Sequence, residues 1–117
     1  MEKKVLTLTV SKEWFDKIVS GEKDEEYRVI KPYWASRLVN QQAESGEVLF
    51  DDFGGYCRVI GELEYKPYTH VLFINGYRKD SPRIEKEIES SITIGKPKKG
   101  LCPSKWLDHE FFIIKFK

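Results

Sequence analysis

The sequence predicts an α+β domain, a curved mixed sheet or small mixed β-barrel with one or two helices packed on it. Its apolar runs are short, tend to alternate with a period of two, and are separated by Gly, Pro and Asn, the pattern of many short strands. Helical periodicity occurs too rarely to supply the crossovers of a doubly wound parallel sheet. With 117 residues, 40% hydrophobic and 14% aromatic, the chain holds material for one core and is read as a single domain, 1–117.

Residues 4–10 alternate, with Leu6, Leu8 and Val10 on one face and Val5, Thr7 and Thr9 on the other, and form the first strand. Ser11 stands where an N-cap belongs, and Trp14, Phe15, Ile18 and Val19 recur at helical spacing. Gly21 suits the left-handed position that ends a helix over residues 12–20. Trp14 and Phe15, on that periodic face, are expected in the core. Residues 24–30 read as a strand ended by Pro32, with Glu26, Arg28 and Ile30 on one face and Glu25, Tyr27 and Val29 on the other. A short helix is expected over 36–42 and a polar turn over 43–46. Residues 43–66 read as an inserted hairpin or an ordered loop, with apolar pieces at 48–50 and 56–60 around a turn at 51–55. The strand 70–74 closes on Asn75-Gly76, a dipeptide suited to a tight hairpin turn. Its partner is expected from Arg83 through Ile94, bent by a bulge at Ser90-Ser91. Residues 95–103 form a loop and residues 110–116 the last strand.

Charge excludes one class of behaviour. Twenty Lys and Arg against 19 Asp and Glu leave a net charge of +1, so any polyanion must be gripped by a local patch. Cys57 and Cys102 are too few for a disulfide framework, and no segment resembles a leader or a spanning helix, so a reducing cytoplasm and no membrane contact are expected. Neither these cysteines nor His70 and His109 have metal-ligand spacing, and no cofactor motif is present; no metal and no cofactor are expected.

The segment between the first helix and the second strand carries the chemistry. Gly21, Lys23, Glu26 and Arg28 stand in the order G-x-K-x-x-E-x-R. Glycine allows a tight reversal close to a ligand, lysine is a mobile cation, and Glu26 with Arg28 present an acceptor and a rigid donor fork from one strand face. Each also has a plain reading: Gly21 as a helix cap, Lys23 as a solvated lysine, Glu26 with Arg28 as a surface pair. Tyr33, Trp34 and Tyr77 offer flat surfaces for stacking, and Asn75 lies beside Tyr77. The basic run Lys96, Lys98, Lys99 and Lys105 suits a phosphate backbone or, as most such runs do, plain solvation.

The motif, with Trp14-Phe15 before it, Lys31-Pro32-Tyr33-Trp34 after it, the Phe73-Ile74-Asn75-Gly76-Tyr77 turn and the closing strand, resembles the ASCH domain family of bacterial and phage proteins. The resemblance covers most of the chain apart from residues 43–66. It implies a PUA-like barrel with a cleft beside the motif, and an RNA, nucleotide or modified-nucleoside ligand held by Gly21, Lys23, Glu26, Arg28, Tyr33, Trp34, Asn75 and Tyr77. Some members resemble amidohydrolases acting on acylated nucleosides such as N4-acetylcytidine, others ribonucleases. In the amidohydrolase pattern a lysine at the position of Lys23 activates a threonine at the position of Glu26. Here a carboxylate replaces that hydroxyl, so the covalent route is not transferable, and Lys23 and Glu26 are catalytic only if Glu26 serves as a base for water. A binding module is the first expectation, an amidohydrolase the alternative, and a protein-interaction adaptor the third.

Overall fold

The computed structural model describes residues 2–40 and 44–117. The alternation of Leu6, Leu8 and Val10 buries all three along strand β1, Val5–Thr9. Helix α1, Lys12–Ser20, follows at once and buries Phe15 and Ile18; Gly21 ends it in the left-handed conformation at φ 85. Strand β2, Glu25–Val29, has the two faces that the sequence predicts.

Helix α2 is Pro32–Leu38, beginning four residues before the expected start of 36. Pro32 both ends the extended segment and opens the helix, because its fixed φ and missing N–H suit the first helical position. Ser36 turns its hydroxyl back to the Tyr33 carbonyl at 2.8 Å. Val39 is already extended and bridges Tyr65. The expected helix positions 41 and 42, and position 43 of the expected turn, lie outside the described residues.

Strands β3, Gly46–Phe50, and β4, Tyr56–Gly61, form an antiparallel hairpin that packs Val48 and Val59 on the core. Strand β5, His70–Ile74, lies parallel to β1 and antiparallel to β6, Arg83–Glu87. The tight turn expected at Asn75-Gly76 is not formed: residues 75–82 make a longer connection, closed by the Asn75 N–H to the Pro82 carbonyl at 2.9 Å. Gly76 alone of the pair has positive φ, and Asn75 spends its side chain elsewhere.

The strand expected from Arg83 to Ile94 is two strands in two sheets. After β6 the chain bridges Ile88 to Phe116, crosses at Ser90-Ser91 and re-enters as β7, Thr93–Gly95. What reads as a bulge is a sheet change, with Ile92 buried at the crossing. Strand β8, Phe111–Lys115, lies between β2 and β7. The order is thus β1-β5-β6, β2-β8-β7 and the pair β3-β4. These sheets do not close into the expected barrel: β7 is cut short by Gly95 and Pro97, and among the described residues the two larger sheets are joined by the Ile88–Phe116 bridge.

The main core lies between the sheets and both helices, with Phe73 and Phe116 rings 4.9 Å apart and Phe112 edge-on to Tyr65. A second cluster of Tyr27, Leu101, Cys102 and Phe111 forms on the outer face of β2 and β8, with Trp106 of the 3-10 turn Ser104–Trp106 stacked on Phe111. No helix among the described residues is long and apolar enough to cross a membrane.

Candidate functional site

In the antiparallel register of β2 and β8, Glu26 lies opposite Ile114 and Arg28 opposite Phe112. Directly opposed residues share a face, so the two charged side chains stand on the core side of the sheet, where apolar residues belong. Burial of unpaired charge at such a position is costly, and these charges are arranged around a small cavity.

Lys23 reaches the same place from the loop after α1. Its backbone N–H returns to the Lys17 carbonyl at 2.9 Å, fixing it against the last helical turn. The side chain, 1% exposed, forms the floor of the cavity rather than reaching into solvent. Its ammonium donates to the Leu101 carbonyl, lies 3.6 Å from Glu26 Oε1, and sits over the Trp14 and Tyr27 rings at 5.1 and 4.8 Å. Burial holds its pKa below the ordinary lysine value, and the Glu26 carboxylate offsets part of that shift.

Glu26 accepts the Tyr27 N–H at 2.9 Å through Oε1, while Oε2 is 3.5 Å from Arg28 Nη2. Arg28 Nη2 also donates to the Thr9 carbonyl at 3.1 Å, and the guanidinium lies over Trp34 at 5.1 Å. Its Nε is buried without a hydrogen-bond partner. Both ion pairs are looser than the roughly 2.7–2.9 Å of tight charge-assisted contacts, so the group has donor capacity left over.

The cavity, about 120 Å3, is walled by Trp14, Tyr27 and Trp106, with Thr9 to Ser11 on one side and Leu101 to Pro103 on the other. Asn75 braces one wall by donating from Nδ2 to the Val10 carbonyl at 3.1 Å. Behind the floor, the Tyr27 hydroxyl donates to Glu25 at 2.8 Å and accepts the Lys98 N–H at 3.0 Å; burial raises its pKa. Burial likewise raises the Cys102 thiol, which argues against a reactive thiolate.

Of the residues the sequence selects, Lys23, Glu26 and Arg28 converge on the cavity, and Trp34 joins through Arg28. Gly21 is the helix cap, with nothing near enough to require the absence of a side chain. Asn75 is a brace. Tyr33, 57% exposed, and Tyr77, 94% exposed and on the 75–82 connection, do not line the cavity.

Trp14, expected in the core, instead faces the cavity, as does Trp106, which no local sequence pattern singles out. The chain's three tryptophans all line this site or stack on it, a concentration readable as a composition signal. The basic loop supplies backbone more than charge: Leu101 receives Lys23, while Lys98 is turned toward Asp24 and Glu25 at 3.6 Å.

A larger concavity of about 890 Å3, with Tyr65 and His70 in its wall, lies at the other end of β1 and β5. It contains none of the motif residues, and the smaller cavity is the better candidate because buried ionisable groups meet there. Among the described residues no cluster of three His, Cys, Asp or Glu is placed to hold a metal ion. Comparison with protein-family models, with curated proteins and with solved structures returns no match.

Proposed function

We propose that this chain is a cytoplasmic ASCH-type domain, PUA-like in fold, that binds RNA or a nucleotide by taking a base into the cavity between Lys23, Glu26 and Arg28. The observation that carries the reading is the convergence of Lys23, Glu26 and Arg28 on an aromatic-walled cavity, in ion pairs of 3.6 and 3.5 Å that leave the Arg28 guanidinium, 20% exposed, with donors to spare. A carbonyl or ring nitrogen of a ligand takes up such a donor. The Glu26 carboxylate complements it as acceptor for an exocyclic amine, and Trp14 and Trp106 offer flat walls. The volume of about 120 Å3 is well below the roughly 300–1,000 Å3 of sites for drug-sized ligands and suits one ring system, with sugar and phosphate outside. Lys99 and Lys105, without ion-pair partners among the described residues, flank in sequence the Leu101 to Pro103 segment that lines the cavity. The PUA-like assignment rests on the resemblance of the motif and its flanking segments, and the location on Cys57 and Cys102 being free thiols.

Titration with each of the four ribonucleoside monophosphates tests this. Saturable binding is expected for at least one, lowered at least about ten-fold in Arg28→Ala. Equal affinity in the parent and Arg28→Ala moves the site elsewhere.

The lowered pKa of Lys23 favours a second reading, an amidohydrolase acting on an acylated nucleoside. Glu26 takes the proton of a water that attacks the acyl carbon, the C–N bond breaks, and Lys23 protonates the departing amine. Acetate release from N4-acetylcytidine, abolished in Glu26→Gln with affinity kept within about a few-fold, identifies this activity. Binding without release excludes it for that substrate.

A further inference from the structure

The aromatic and cationic side chains near the cavity continue outward along one surface, and this bears on the length of the ligand. Arg28 is stacked on Trp34, whose ring meets that of Tyr33 edge-on at a centroid distance of 5.0 Å. Arg37 lies 4.9 Å from the Tyr33 ring and has no acidic partner among the described residues. The first turn of α2 is in turn backed by the tip of the β3–β4 hairpin: a Cβ on Gly54 would lie 3.7 Å from the Pro32 ring. The neighbour of Gly54, Phe53, is 96% exposed.

One exposed phenylalanine is ordinary, but this one is held in place. Asp51 Oδ1 accepts the Phe53 and Gly55 N–H groups at 2.8 and 2.7 Å, and the Asp51 carbonyl accepts the Gly54 N–H at 3.0 Å. Those backbone donors, with Lys31 nearby, hold the Asp51 carboxyl below the usual aspartate range. A turn braced this way presents an aromatic ring to solvent at little further entropic cost.

We propose that the ligand is a segment of single-stranded RNA, not a free nucleotide, with one base in the cavity and flanking bases stacked on Tyr33 and Phe53. This rests on the nucleotide-binding reading above and extends it. Interleaved aromatic rings and cations are the chemistry of single-strand binding: rings stack on any base, and Lys31 and Arg37, both exposed, supply charge for the backbone. The track is continuous with the cavity through Arg28 and Trp34, so a strand entering the one lies along the other.

The test compares a labelled single-stranded RNA octanucleotide of mixed sequence with the best-bound monophosphate, on the parent chain, Phe53→Ala, Tyr33→Ala and Arg28→Ala. The octanucleotide is expected to bind at least about ten-fold more tightly than the monophosphate. Phe53→Ala and Tyr33→Ala should each weaken it at least about five-fold while leaving monophosphate affinity within roughly two-fold; Arg28→Ala should weaken both. Equal affinity for the two ligands, or an unchanged octanucleotide affinity in Phe53→Ala, overturns the extended track and leaves the cavity reading intact. Binding of neither ligand by the parent chain defeats the cavity reading itself, and a protein partner on this strip is then the remaining occupant. Phe53 is almost wholly exposed, so loss of folding does not confuse the result.

Discussion

Replacing Glu26 by Gln isolates what the carboxylate does for the buried cation. Among the described residues Glu26 is the acid paired with Lys23, at 3.6 Å, and the two side chains are 9% and 1% exposed. Removing one partner of a buried pair costs about 3–5 kcal/mol. The low end applies, since the amide keeps the volume and an acceptor for the Tyr27 N–H, and the pair is loose to begin with. An unfolding entropy near 2.1 cal/mol/K per residue over 117 residues gives about 0.25 kcal/mol/K. A loss of about 3 kcal/mol therefore lowers Tm by roughly 12 °C. The pH dependence gives a second readout. Because the folded-state pKa of Lys23 is lowered, the unfolded chain binds more protons between the two values, and stability rises with pH across that window up to the ordinary lysine pKa of about 10.4. In Glu26→Gln the carboxylate no longer lifts that pKa, the window opens at lower pH, and the Tm gap to the parent narrows as pH rises toward the parent's folded-state value. Thermal melts followed by circular dichroism over a pH series from neutral to alkaline measure it. A gap below about 3 °C at pH 7, or one that does not change with pH, refutes the coupling.

Arg28→Lys should bind nucleotide about ten-fold more weakly, because an ammonium cannot bond the Thr9 carbonyl and stack on Trp34 together; calorimetric titration equal to the parent contradicts this. Nucleotide binding should quench most of the intrinsic tryptophan fluorescence, since Trp14, Trp34 and Trp106 all lie at the site, and saturable binding without a change in emission would place the ligand elsewhere. Tyr27→Phe should cost about 1–3 kcal/mol in urea unfolding, as it strips Glu25 and the Lys98 N–H of their shared hydroxyl; an unchanged midpoint shows that water replaces it.

Local signals that needed no tertiary context were legible in the sequence. The alternation of Leu6, Leu8 and Val10, the helix closed by Gly21 and the two faces of residues 24–30 all appear as read, because each depends on periodicity and a breaker. Errors arose where one residue serves two elements or where a distant partner decides. Pro32 reads as an end and is also a beginning. Ser90-Ser91 looks like a bulge because nothing local says that the next strand belongs beside β8. The shared face of Glu26 and Arg28 followed from spacing, but the inward turn of Lys23 did not. It depends on the Leu101 carbonyl, far along the chain. Trp14 stands one position before the buried Phe15, and whether such a flanking residue meets core or cavity is settled by the 101–106 segment packed opposite.

The place of β8 between β2 and β7 bears on how the protein is made. A ribosome that has delivered residues 1–110 has produced every side chain that walls the cavity and none of the strand that braces it. Until Phe112 and Ile114 arrive opposite Arg28 and Glu26, those charges remain hydrated on an unpaired edge and the nascent chain has no pocket to fill. The segment that completes it, Phe111-Phe112-Ile113-Ile114, is an uncharged, strongly strand-forming stretch, adhesive while it is loose. Its slot between two waiting strands shortens that exposure, so the step that completes the cavity is also the one that protects the newly made chain from aggregation.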